Sequence, residues 1–130
     1  MAFPITGLYA AFLFLIAIGL MVWVIKGRGI AKVGIGDGGN DLLIRRMRTQ
    51  SNFVENAPLL LIALGLMEAN GASSWFLHLF GIVLVLGRIA HPIGMTNKYP
   101  KMPFRVGGTV SALVLYAAAA LVLLWQTLIA

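Results

Sequence analysis

The sequence contains no cysteine. Disulfides, thiolate metal sites and a protein-borne thiol nucleophile are thereby excluded, and any sulfur chemistry has to arrive with a ligand. Histidine occurs only twice, so a tetrahedral zinc site is poorly supplied and no metal is expected. Charge is also scarce, at 11% of 130 residues against 60% hydrophobic, and mean hydropathy is +0.93. A soluble domain of this length buries only part of its unfolded surface and could not hide that much apolar area. Long runs nearly free of charge belong in a bilayer instead. The N-terminal run lacks the basic segment of a signal peptide and is longer than a signal peptide's apolar core, so it reads as a retained span.

What is present is four apolar segments, at about residues 5–25, 41–69, 73–95 and 104–129, in one domain covering 1–130. Backbone groups in lipid must be satisfied within the segment, which makes these helices. Short connections make sequential helices antiparallel, so the expected architecture is an all-α, up-down transmembrane four-helix bundle. Asn40 or Asp41 is placed to cap the second helix, and Pro100 and Pro103 stiffen the chain before the fourth. Trp23, Trp75 and Trp125 fall near span ends, as interfacial aromatics do. In the fourth helix the small pairs Gly107–Ser111 and Gly108–Ala112 permit close helix contact.

All ten Lys and Arg residues lie in or beside the first and third connections. Lys26, Arg28, Lys32, Arg45, Arg46 and Arg48 flank the first; Arg88, Lys98, Lys101 and Arg105 flank the third. Cytoplasmic loops carry such an excess, so loops one and three are expected inside, with loop two and both termini outside. Because topology accounts for the +6 charge, a nucleic-acid partner is not indicated. Gly34, Gly36 and Gly39 match G-x-G-x-x-G, but without a βαβ unit around them the match carries no dinucleotide site.

The second helix poses the functional question. Its stretch "RRMRTQSNFVENAP", residues 45–58, brings arginines, asparagines and a glutamate to the head of an apolar span. At 100° per residue, with Arg45 at zero, Arg48 lies at about 300°, Asn52 at about 340°, Glu55 at about 280° and Asn56 at about 20°. Gln50, at about 140°, points to the opposite side. An ionised group near mid-bilayer costs on the order of 3 kcal/mol or more, so the stripe must face a bundle interior, a water-filled cavity or a subunit boundary. It either holds a ligand or braces the helices through an Arg48–Glu55 network. Arg88 and His91 share a face near the cytoplasmic end of the third helix, and Arg105 opens the fourth.

This inventory, a cationic cavity with one carboxylate, suits a small polyanion that also carries an amine. Arginines fork onto carboxylates, Glu55 could pair with an ammonium, and Arg105 is left to stabilise an anion such as a thiolate. Small multidrug exporters also combine four short spans with one buried glutamate. There, however, the carboxylate sits in the first span and away from arginines.

The collected residues resemble the MAPEG family, membrane-associated proteins in eicosanoid and glutathione metabolism, over nearly the whole chain. "RTQSNFVENAP" is similar to the family pattern R-x-Q-x-N-x-x-E-x-x-P, with Arg48, Gln50, Asn52, Glu55 and Pro58 in place. "GRIAHPIG" (87–94) and "FRVGG" (104–108) resemble two further family segments, and the "IGDGGN" loop is similar to that of small bacterial inner-membrane members. The resemblance implies a homotrimer in the bacterial inner membrane, binding glutathione as co-substrate at cytoplasmic-side subunit boundaries. It implies glutathione contacts from Arg48, Asn52 and Glu55, with Arg88 and His91 in the same site and Gln50 and Arg28 (or Lys26) reaching the neighbour's site. Arg105 would stabilise the thiolate. The implied activity is conjugation of lipophilic electrophiles or reduction of lipid peroxides, a detoxification role. Asn56, His91 and Met95 stand where well-studied members have tyrosines, so different substrate handling is expected.

Overall fold

The computed structural model describes residues 1–96 and 102–130, and the expectations for Lys98, Pro100 and Lys101 fall outside them. Four helices account for nearly all of it: α1 (Pro4–Ala31), α2 (Asp41–Ala69), α3 (Ser74–Met95) and α4 (Met102–Leu128). Each is long and apolar enough to cross a membrane, and among the described residues there is no strand.

The helix ends follow from local chemistry. Pro4 and Pro103 sit in first turns, where a missing N–H costs nothing. α1 runs past its apolar stretch to Ala31 and ends at Lys32 in the left-handed conformation, whose N–H bonds the Arg28 carbonyl. The Arg28 guanidinium then folds over the following loop, donating to Gly36 O at 2.7 Å and Val33 O at 3.5 Å. Gly36, Gly38 and Gly39, all at positive φ, let the chain turn tightly there. Asn40 caps α2, its Oδ1 accepting from Leu43 N at 2.9 Å. Pro58 and Pro92 lie inside α2 and α3 without ending them.

α2 and α3 form the middle of the bundle. Each sequential pair touches, α1 also touches α3 and α2 touches α4, but α1 and α4 make no contact among the described residues. The core is mainly aliphatic, with Tyr9, Phe53 and Phe80 also buried, and Leu60, Leu64, Met67, Leu77 and Leu84 in it are nearly inaccessible. Large apolar side chains such as Leu15, Ile25, Leu113 and Leu121 remain exposed. For a bundle in lipid that outer surface needs no further cover.

Two devices set the helix spacing. Between α1 and α2, Arg46 lies in a notch at Gly27, where a Cβ would approach its Cδ to 2.8 Å. It donates to the Trp23 carbonyl at 2.7 Å with its guanidinium carbon 5.2 Å from the Trp23 ring centroid. Between α3 and α4, glycines bring backbones together. Gly87 meets Ser111, a Cβ on Gly108 would stand 2.8 Å from His91 Cβ, and Gly94 abuts Arg105. Of the small pairs expected on α4, Gly108–Ala112 is buried, whereas Gly107 faces away with nothing within 4 Å of its Cβ position.

Candidate functional site

Arg88 organises the half of the bundle nearer the first and third connections. It is 2% exposed, and its two terminal nitrogens are both committed. Nη1 donates to Asn52 Oδ1 on α2 at 2.7 Å, and Nη2 to the Gly108 carbonyl on α4 at 2.6 Å. The Ser111 hydroxyl donates to the same carbonyl at 2.8 Å. Glycine at 108 allows this, because α4 can come close enough for its main chain to receive a guanidinium. A second bridge lies one turn deeper: the Tyr116 hydroxyl on α4 donates to Asn56 Oδ1 at 3.0 Å, and Asn56 Nδ2 donates to the Asn52 carbonyl at 2.8 Å. Among the described residues, no buried side-chain polar atom lacks a partner.

The stripe read from the helical wheel therefore divides. Asn52 and Asn56 turn into the bundle and meet Arg88 and Tyr116. Arg48 and Glu55 lie on the outer surface of the protomer, exposed, and among the described residues neither has a hydrogen-bond or ion-pair partner. The buried network is thus built on the asparagines and not on an Arg48–Glu55 pair. Gln50 lines one shallow groove with Ser51, Val54 and Glu55. The small residues between allow the longer Gln50 and Glu55 chains to border the same depression.

Arg48 and Arg105 both lie close in sequence to the residues of the Arg88 bridge. Arg48 precedes Asn52 by one turn on α2, and Arg105 precedes Gly108 by nearly one turn on α4, so each flanks one end of the Arg88 bridge. Arg105 is exposed, and the backbone at its position rests on Gly94. His91 is 6% exposed and packs its Cβ against Gly108. Arg28 engages its own loop in this protomer, with Nη2 also 3.8 Å from the Met47 sulfur. No group of three or more His, Asp or Glu suited to a metal occurs among the described residues.

Sequence reasoning missed Tyr116. Its signal was a lone phenol in an aliphatic stretch, a group that needs a partner when buried. It also missed a polar cluster at the opposite end. There the Glu68 carboxylate accepts from Ile5 N at 2.9 Å, Thr6 N at 2.8 Å and the Thr6 hydroxyl at 2.6 Å. Beside it, the Tyr9 hydroxyl donates to the His78 carbonyl at 3.0 Å and lies 2.9 Å from His78 Nδ1.

The sequence profile of the MAPEG family matches residues 6–125. The inner membrane protein YecN of Escherichia coli strain K12 is 34% identical over 94 residues, 72% of each chain. YecN of Escherichia coli O6:H1 matches to the same extent. No solved structure matches.

Proposed function

The chain belongs to the MAPEG family, and from that premise we propose that it is a membrane-embedded, glutathione-dependent transferase or peroxidase. The observation that supports this most is the Arg88 bridge, which joins α2 four residues after Arg48 to α4 three residues after Arg105. In this reading Arg48 takes a glutathione carboxylate and Glu55 the ammonium. The Asn52 amide accepts from Arg88 through Oδ1, which leaves its Nδ2 protons for a ligand carbonyl or carboxylate. Arg105, exposed at the start of α4, stabilises the thiolate by its fixed positive charge.

The working unit is a homotrimer. Glu55 lies nine residues beyond Arg46, about 13 Å further along α2, and is exposed on the single protomer. A bare carboxylate facing lipid at that depth is costly. A neighbouring subunit covering the groove removes the cost and brings Gln50 and Arg28 toward the shared site. His91 lines the cytoplasmic end behind Arg105, and Arg88 acts through Asn52. The protein resides in the bacterial inner membrane, with loops one and three cytoplasmic, and loop two and both termini outside.

In conjugation, the glutathione sulfur attacks an electrophilic carbon of a lipophilic compound dissolved in the bilayer. The leaving group departs with its electron pair, and the thiol proton goes to cytoplasmic water. The test is a titration of detergent-solubilised protein followed by the ultraviolet absorbance of bound thiolate. Wild type should develop the thiolate band and Arg105→Ala should lose it along with turnover. An unchanged band and turnover in Arg105→Ala would discard the mechanism.

A further inference from the structure

We propose that Tyr116, Asn56 and Arg88 are positioning residues for this site, acting as one hydrogen-bonded circuit that fixes the rotation and depth of α2. The proposal rests on the glutathione reading above and goes beyond it, because none of the three needs to touch the ligand.

The circuit is closed. It leaves α4 at the Tyr116 hydroxyl, enters α2 at Asn56, and passes along α2 from the Asn56 amide to the Asn52 carbonyl. From the Asn52 side chain it crosses to Arg88 on α3, and it returns to α4 at the Gly108 carbonyl. Tyr116 and Gly108 are eight residues apart, about 12 Å along α4. α2 is therefore tied to α4 at two heights, once directly and once through α3. A single tie would leave a helix free to pivot, whereas two ties at different heights fix both its roll and its axial position.

The apolar contacts at this height cannot do this. Around the circuit α2 packs through Phe53, Ala57, Leu60 and Leu64, and apolar packing in lipid has neither the direction of a hydrogen bond nor a hydrophobic drive between helices. A buried polar network specifies register where apolar contacts tolerate several. The consequence reaches the surface through the chain itself. Glu55 adjoins Asn56 and Arg48 lies one turn from Asn52, so both exposed site residues are carried on the tied turns. Roll of α2 would turn them relative to Arg105.

The experiment uses the full chain in detergent and the variants Tyr116→Phe, Arg88→Lys and the double. Two quantities are read: glutathione affinity by calorimetry, and hydrogen exchange of α2 amides in residues 48–56. Tyr116→Phe should keep its melting temperature near wild type, weaken glutathione about fivefold, the size of one net hydrogen bond, and speed local exchange. Because all members serve one circuit, the double variant should bind no more weakly than Arg88→Lys alone. Additive losses, or wild-type affinity and exchange in Tyr116→Phe, would overturn the proposal. If Arg88→Lys does not assemble, Asn56→Ala takes its place in the same cycle. If wild type itself binds no glutathione, the functional reading falls, while exchange over 48–56 still decides whether the circuit holds α2.

Discussion

Gly94 of α3 lies against the main chain of Arg105. A Cβ at Gly94 would stand 2.5 Å from Arg105 N and 2.9 Å from its Cα. Neither atom can swing aside as a side-chain tip would, so Gly94→Ala has to displace the first turn of α4. Thiolate absorbance and turnover should fall on the order of tenfold or more, the sensitivity expected when a charged group is moved by a fraction of an ångström to an ångström. Gly107→Ala is the control, since its Cβ would meet nothing within 4 Å, and both readouts should stay at wild-type level.

Arg46→Ala removes the bond to the Trp23 carbonyl and the cation–π contact together. Thermal unfolding in detergent should show a loss of about 1–2 kcal/mol. Arg46→Lys should recover only part of it. An ammonium cannot lie flat over the indole while reaching the carbonyl, as the guanidinium does.

Glu68 should matter for stability and not for the site. Its carboxylate receives three donors from the first turn of α1, where the positive end of the helix dipole adds to the bonds. Glu68→Ala should lower stability by about 1–2 kcal/mol and Thr6→Val by less, because the two backbone donors survive. Glutathione affinity in both variants should match wild type, as the cluster lies at the far end of the bundle.

The absence of cysteine makes the subunit boundary directly testable. Val54, 60% exposed and lining the groove with Gln50 and Glu55, can be replaced as Val54→Cys to give the chain its single thiol. A short bis-maleimide should then join subunits in detergent. With one thiol per chain the linker joins chains only in pairs, so a cross-linked two-chain product from a particle of three-chain native mass agrees with the trimer, and a protein that remains monomeric throughout contradicts it.

The four helices were legible because lipid imposes a length and an apolar composition that a short sequence shows directly. The presence of a polar segment on α2 was legible for the same reason: polar groups there had nothing in the bilayer to justify them. The facing of each group was harder. A helical wheel gives relative angles, and it joined Asn52 and Asn56 to Arg48 and Glu55. Packing then separated them, because only the asparagines lie within reach of Arg88 and Tyr116. Those partners are 36 and 60 residues away in sequence, a distance no local pattern spans. Arg46 looked like one more loop-side cation until Trp23 and the Gly27 notch gave it a place.

The two acceptors of Arg88 also differ in when they come into being. Asn52 precedes Arg88 in the chain and Gly108 follows it, so in sequential insertion one acceptor lies on the helix that enters before the third span and the other on the helix that enters after it. The third span thus enters lipid carrying an incompletely paired charge, a state that ends only when the fourth helix docks. A chain cut short before residue 108 would keep that charge half-served. Arg88 therefore makes full-length synthesis a condition of a settled bundle, and a truncated product is the form that membrane proteolysis should find first.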